Sequence, residues 1–439
     1  MASVAAVAMA GALVCGCSTP SASPMSGGTG EKFNTSTPVG LRAKQIVDML
    51  NSDWPIGPVS VRTLAAEKQV DDIGTTMDGL WWDRPYTVAG VDLHAAQATL
   101  HLITSFGARQ DIDIHTDDQT MVDRFDVELQ KPSIKSWADV DAELKKSSAR
   151  YSYQVAKVSD NRCEPVAGTN TAESLPLASI FKLYVLYAVA DGVNSGTVSW
   201  NDRLTITGRA KDVGSSGLDK LPPGAQVTVR TAADKMIATS DNMATDLLIG
   251  RVGTPAVEHA LVEAGHHDPA SMTPFPTMHE LFSVGWGKPD LREQWKRAVQ
   301  SGGPQGRARL LQQTNARPYQ PDPARTHTPA SGYGAEWYGS AEDICRVHAA
   351  LQSGAVGAAA PVKEIMSQIP GIDLDPQQWP YVGAKAGNLP GDLTFSWYAL
   401  DHTGQAWVVS FQLNWPRYHG SSAGSWLLSI AEQAFAMLP

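Results

Sequence analysis

The chain has 439 residues, a formal net charge of −10 and 43% hydrophobic residues. That length exceeds one ordinary domain and points to two. The acidic balance excludes nucleic acid and anionic membrane as electrostatic partners, and the apolar content, with 13 tryptophans, excludes bulk disorder.

In chain order, Met1 to Cys17 is apolar and uncharged, shorter than the roughly 20 residues that span a bilayer and suited to an export leader. Val14-Cys15-Gly16-Cys17 resembles a bacterial lipoprotein signal, with Cys17 as the lipidated residue, although the positive flank such leaders carry is missing. Residues 18–38 are rich in Ser, Thr, Pro and Gly and read as a flexible tether.

From 39 to 132 a small α+β domain is expected. Leu41, Ile46, Val47 and Leu50 recur at helical spacing, and alternating runs at Ala98–Ser105, Arg109–His115 and Met121–Leu129 form an antiparallel meander. A connecting helix follows within 133–149. The rest, 150–439, opens with a hairpin (Tyr151–Val158, Cys163–Ala167) and closes with strands Tyr381–Ala386, Asp392–Leu400 and Gln405–Asn414 and a helix Ala423–Met437. Strands at both ends of a helical middle predict one antiparallel sheet with a helical lobe, again an α+β class, with a cleft between the two layers.

Within that body, Ala178–Ala190 is apolar on every side, with Lys182 as its one charge. Burial lowers a lysine pKa and makes it a usable base. Ser179, three residues earlier, shares its helical face and comes within hydrogen-bond reach, which makes it a candidate nucleophile. Its place in the first helical turn aims free N–H groups at a developing oxyanion. Ser240-Asp241-Asn242 is expected in a loop between two helices, where a helix cap is the plainer explanation. The same tripeptide at Ser159-Asp160-Asn161 falls in a hairpin turn. Lys385-Ala386-Gly387 lies on a strand, its lysine suited to a substrate carboxylate and its glycine to close backbone approach. Cys163 and Cys345 form one disulfide or remain two buried thiols. Neither has metal-ligand spacing, and no cofactor or metal is expected.

S-x-x-K, S-D-N and K-x-G, in that order on helix, loop and strand, are the signature set of class A β-lactamases and penicillin-binding proteins, which the region 150–439 resembles. The runs LRAKQ, Ser136-Trp137-Ala138, Ser240-Asp-Asn-x-Ala-Thr-Asp-Leu-Leu-Ile, Thr273-Pro-Phe, Asp343-Ile-Cys and Trp379-Pro-Tyr are similar to the actinobacterial Cpe/LpqF family. That resemblance implies an N-terminal fold like NTF2 and steroid isomerase. It further implies an exported serine hydrolase, lipid-anchored on the outer face of the cytoplasmic membrane, acting through an acyl-enzyme on a small ester or β-lactam-like substrate. In those roles Ser179 attacks the carbonyl, Lys182 takes its proton and Ser240 shuttles protons. Asn242 orients Lys182 and the substrate, Lys385 supplies positive potential, and the N–H groups of Ser179 and Asn388, beside Gly387, form the oxyanion hole.

Two departures from class A stand out. Ala386 replaces the usual Thr or Ser. Thr273-Pro274 resembles the helix start that follows the Ω loop, which leaves Gly265–Met272 too short to carry the deacylating glutamate; Glu280 then reads as a solvated helix residue, and His266 and His279 as structural. The expectation is therefore a weak β-lactamase or an esterase. The alternative is a catalytically silent lipoprotein that uses the fold to bind a ligand or partner. Gly285–Tyr338 is expected as an insertion over the helical lobe.

Overall fold

The computed structural model describes residues 32–208 and 216–439. The leader, Cys17 and most of the tether lie outside the described residues. Two compact units emerge, one of 149–418 and one that joins the chain up to Ser148 with His419–Pro439.

In the N-terminal unit, helix α1 (Pro38–Leu50) starts at Thr37, whose hydroxyl accepts the Gly40 N–H, a cap worth about 1 kcal/mol. Val39, Ala43, Ile46, Val47 and Leu50 form its buried stripe, while Leu41 is exposed. A short helix α2 (Pro58–Val61) and α3 (Val70–Trp81) follow. Four strands, β1 (Thr87–His94), β2 (Gln97–Ile103), β3 (Arg109–Thr116) and β4 (Val122–Leu129), make an antiparallel meander in sequence order. Ala98, Leu100, Leu102, Ile112 and Ile114 point into one core with α1. The expected helix and meander are present, and β1 and α3 are additions. A register shift between Val88 and Gly90 breaks the alternation of β1, and Gly74 and Gly79 weaken the helical signal of α3. Helix α4 (Trp137–Lys146) is capped by Ser136.

The second unit opens with the hairpin β5 (Arg150–Ser159) and β6 (Arg162–Thr169). Asp160 and Asn161 have φ of 50° and 60°, the two left-handed residues that a tight hairpin turn needs. The first Ser-Asp-Asn tripeptide thus serves the turn. Then come β7 (Leu175–Pro176), α5 (Lys182–Asn194), the pair β8 (Arg203–Thr205) and β9 (Gln226–Thr228), and helices α6 (Val229–Ala238), α7 (Asn242–Val252) and α8 (Thr254–Glu263). Helices α9 (Met278–Gly285), α10 (Arg292–Arg297) and α11 (Gly303–Asn315) lead to β10 (Tyr338–Gly339), α12 (Ala341–Gly354) and α13 (Val362–Ser367). Strands β11 (Tyr381–Leu389), β12 (Asp392–Leu400) and β13 (Ala406–Asn414) complete a five-stranded antiparallel sheet in the order β11-β12-β13-β5-β6. Strands from both ends of the region do meet in one sheet. α5 is buried nearly all round, in a helical core that includes Leu248, Leu261, Ile344 and Leu351. Cys163 of β6 and Cys345 of α12 form a disulfide, with Cα atoms 6.3 Å apart.

Helix α14 (Ser421–Ala436) ends the chain, and among the described residues no helix is long and apolar enough to cross a membrane. The division of the chain differs from the expected 150–439, because 419–439 groups with the N-terminal unit. Trp426 and His419 pack against Phe106, and Asp83 accepts the Gly420 N–H at 2.7 Å. Hydrophobic and capping contacts of this kind between residues distant in sequence leave no periodic signal.

The helix expected at Thr273-Pro274 begins instead at Met278. Thr277 and Glu280 close a reciprocal capping box, so Glu280 is buried rather than solvated. Its carboxylate accepts the Thr277 N–H and a bond from the Asn315 amide. The segment that runs up to the strand paired with β7 is 273–337, not 265–272, since β10 pairs with β7 two residues before the Ala178–Phe181 turn.

Candidate active site

Ser179 lies in a 3-10 turn, Ala178–Phe181, that feeds into α5 at Lys182. In such a turn side chains three apart eclipse, so Ser179 and Lys182 share a face. Ala178, just before the serine, has φ of 44°, a conformation that costs a residue with a Cβ about 1 kcal/mol or more and that survives only when the surroundings hold it. Here they do. Leu177 N–H donates to Trp337 O at 2.8 Å, Ala178 N–H to Glu336 Oε2 at 3.1 Å, and Trp337 stacks on Phe181 with ring centroids 3.7 Å apart.

Lys182 is fully buried. Among the described residues its Nζ donates to Ser240 O at 2.7 Å, Asn242 Oδ1 at 2.7 Å and Ser240 Oγ at 3.1 Å, rather than to the Ser179 hydroxyl. Burial brings its pKa down to about 7 against the pull of the Asp241 and Asp246 carboxylates. A lysine so placed is largely free base above neutrality.

Ser240 stands between α6 and α7 with φ of 54°, and Asp241 caps α7 through the Ala244 N–H at 2.8 Å and ties down Ser216 N–H at 2.7 Å. The helix cap and the hydrogen bonds that hold Lys182 are therefore one structure. Lys385 reaches the same hydroxyl from the edge strand β11, with Nζ 2.9 Å from Ser240 Oγ and 2.6 Å from Ala386 O. Burial, and then the charge of Lys182, hold its pKa well below the lysine range. Gly387 explains the glycine of K-x-G: a Cβ there would sit 2.7 Å from Ser179 N and 2.8 Å from Leu177 O. Asn388 is the next residue on β11 and is exposed. Ser179, Lys182, Ser240, Asn242, Lys385 and Gly387 are thus gathered at one place, Asn388 extends β11 beside them, and Cys17 lies outside the described residues.

His266, His267 and Asp343 also cluster, with ligand atoms within 4.8 Å of one another. The side-chain atoms of His266 and Asp343 are already committed. His266 accepts Asp268 N–H at Nδ1 and bonds Tyr338 O through Nε2; Asp343 closes the Ser340 capping box and takes bonds from His267 and Arg346. This is an architectural knot that anchors α12, not a ligand set open to a metal.

Glu336 and Asp392 escaped the sequence reading. Both are buried, Glu336 at 5% and Asp392 at 2% exposure. The one available signal is a carboxylate inside the apolar run Ala335–Tyr338.

A model of the beta-lactamase enzyme family matches residues 135–356, and one described as ORF 12 gene product N-terminal matches 34–122. No curated protein matches. Among solved structures the chain is similar to a β-lactamase from Sphaerobacter thermophilus, with 19% identity, TM-score 0.48, and coverage of 70% of this chain and 100% of that one. It is also similar to PBP-A (16%, TM-score 0.46, covering 69% and 96%) and to the chromosome-encoded β-lactamase of Vibrio parahaemolyticus (16%, TM-score 0.47, covering 68% and 97%).

Proposed function

The chain belongs to the beta-lactamase enzyme family and has its fold, an antiparallel sheet with a helical lobe after a small separate N-terminal domain; on that premise we propose a serine hydrolase that works through an acyl-enzyme on an ester or β-lactam-type carbonyl. One observation carries this reading: two buried lysines reach a single hydroxyl, Ser240 Oγ, Lys182 from one turn after Ser179 and Lys385 from two residues before the Gly387 that abuts Ser179 N.

In this mechanism Ser179 Oγ forms a bond to the substrate carbonyl carbon while its proton passes to neutral Lys182. The N–H groups of Ser179 and Asn388 hold the oxyanion. Collapse breaks the bond to the leaving oxygen or nitrogen, which takes a proton relayed by Ser240, and water later hydrolyses the acyl-enzyme. Asn242 fixes Lys182, and Lys385 draws the substrate carboxylate. Ala386 offers that carboxylate no hydroxyl, and the two Glu280 oxygens are engaged, one in the cap and one by the Asn315 amide, which supports an esterase or a weak β-lactamase.

Export by a leader ending at Cys17, lipidation there and residence on the outer face of the cytoplasmic membrane complete the proposal, supported by the leader pattern and by a disulfide suited to an oxidising compartment. Membership of the Cpe/LpqF group and an NTF2-like N-terminal fold are proposed on the quoted motifs and on the helix-plus-meander architecture. The decisive experiment is intact-mass measurement after exposure to benzylpenicillin and an aryl ester. Wild type should gain the acyl mass, and Ser179→Ala should not. No adduct and no ester hydrolysis would leave the second reading, a binding module. A groove of about 480 Å³ in the N-terminal unit, lined by Met49, Ile56, Leu64 and the 80%-exposed Trp54, supports it.

A further inference from the structure

The nucleophile turn is held from behind by a carboxyl group that the mechanism above does not use. Glu336 is the last residue but one before β10, and its Oε2 accepts two backbone N–H bonds, from Ala178 and from Trp337, each at 3.1 Å. The first of these belongs to the left-handed residue directly before Ser179. Its Oε1 is buried without a hydrogen-bond partner, which is costly for a charged carboxylate and less so for a neutral carboxyl. Asp392, at the start of β12, is the neighbouring acid. It takes a bond from Asn414 at 2.5 Å, and Asn414 also bonds Ser331 at 3.1 Å. Burial raises both acids, Glu336 well above the usual carboxylate range with the Asp392 charge adding to it, and Asp392 to about 8.

Resting on the acyl-enzyme reading, we propose that Glu336 is a positioning residue for acylation: its carboxyl, backed by Asp392, holds the Ala178 N–H and so aims the Ser179 hydroxyl and N–H at the substrate carbonyl. Nothing else among the described residues takes that N–H, and the strained φ at Ala178 needs a partner to persist. What the position requires is an acceptor oxygen rather than a negative charge.

The test measures the acylation rate by stopped flow with a chromogenic ester and a fluorescent penicillin for wild type, Glu336→Gln and Glu336→Ala, beside thermal melting. Gln keeps the acceptor oxygen, so Glu336→Gln should acylate within about threefold of wild type. Glu336→Ala should lose about 10- to 100-fold in the acylation rate constant, the scale of a small misplacement of reacting groups, with the concentration for half-maximal rate little changed. Equal rates in wild type and Glu336→Ala would overturn the inference, and so would equal losses in the Gln and Ala variants. Should Glu336→Ala not fold, Glu336→Leu, of similar volume and without an acceptor, takes its place: a loss there with Glu336→Gln near wild type supports the acceptor role, and equal rates in Glu336→Leu and wild type overturn it. Absence of any wild-type label would overturn the hydrolase reading and this inference with it, whereas a labelled wild type isolates the failure to Glu336.

Discussion

The ammonium groups of Lys182 and Lys385 converge on one atom, Ser240 Oγ, at 3.1 and 2.9 Å. Two charged ammoniums so close in a buried site repel each other, and the cheapest relief is for one to shed its proton. Burial lowers both pKa values, Lys182 to about 7, and the charge of Lys182 lowers Lys385 further, so Lys182 titrates near neutrality one turn after Ser179. Three predictions concern this site and its supports, and a fourth the N-terminal sheet.

Acylation should rise with pH and level off above about 7, the value to which burial brings Lys182. Stopped-flow acylation between pH 5 and 10 checks it, as an order-of-magnitude tenfold rise per unit below the limb; a limb near the ordinary lysine value would contradict it. Stability carries the same sign. Between about 7 and 10.5 the unfolded chain binds a proton that the folded chain does not, so the Lys182 contribution rises with pH across that window. Lys182→Met should lack that rise in urea titrations.

Gly387→Ala should cripple acylation while leaving the fold. The added Cβ would meet Ser179 N at 2.7 Å and Leu177 O at 2.8 Å, both backbone atoms that cannot swing aside. We expect a loss of about 100-fold in kcat/KM and about 1–3 kcal/mol of stability. An active Gly387→Ala enzyme would show that β11 does not press on the nucleophile turn.

Reducing the Cys163–Cys345 disulfide, which bridges residues 182 apart in sequence, should cost about 2–5 kcal/mol. Chemical denaturation with and without reductant, beside the Cys163→Ala, Cys345→Ala double variant, measures it. Identical midpoints would mean that the bond is idle.

His101 couples the N-terminal sheet to pH. Partial burial opposes its charge, but hydrogen bonds to Asp92 and Asp111, at 3.1 and 2.8 Å, outweigh that and raise its pKa. A raised folded value means that the stabilisation is fully present below the unfolded value of about 6.5 and is lost as pH rises through the folded one. His101→Gln should flatten the melting temperature across that range; an unchanged profile would refute the coupling.

Much of the site was legible because its parts are local. Ser179 and Lys182 sit one turn apart, and the apolar run around them announces a buried lysine. The sheet of strands from both ends was legible from alternation and turn residues. Glu280 was misjudged because a charged residue near a helix start has the same composition whether it faces water or closes a capping box. The start of α9 was misplaced because Thr273-Pro274 imitates a helix start, and only the capping box at Thr277 and Glu280 shows where the helix begins.

By itself, then, the sequence determined the type and order of the reactive residues and the elements that carry them, since propensity, periodicity and short motifs act over a few neighbours. Tertiary structure decided what those residues touch. It gave Lys182 to Ser240 and Asn242 rather than to Ser179, set Gly387 against the nucleophile backbone and brought Glu336 behind Ala178 across a separation of 158 residues. Contacts that distant depend on packing of whole elements, which no local pattern encodes.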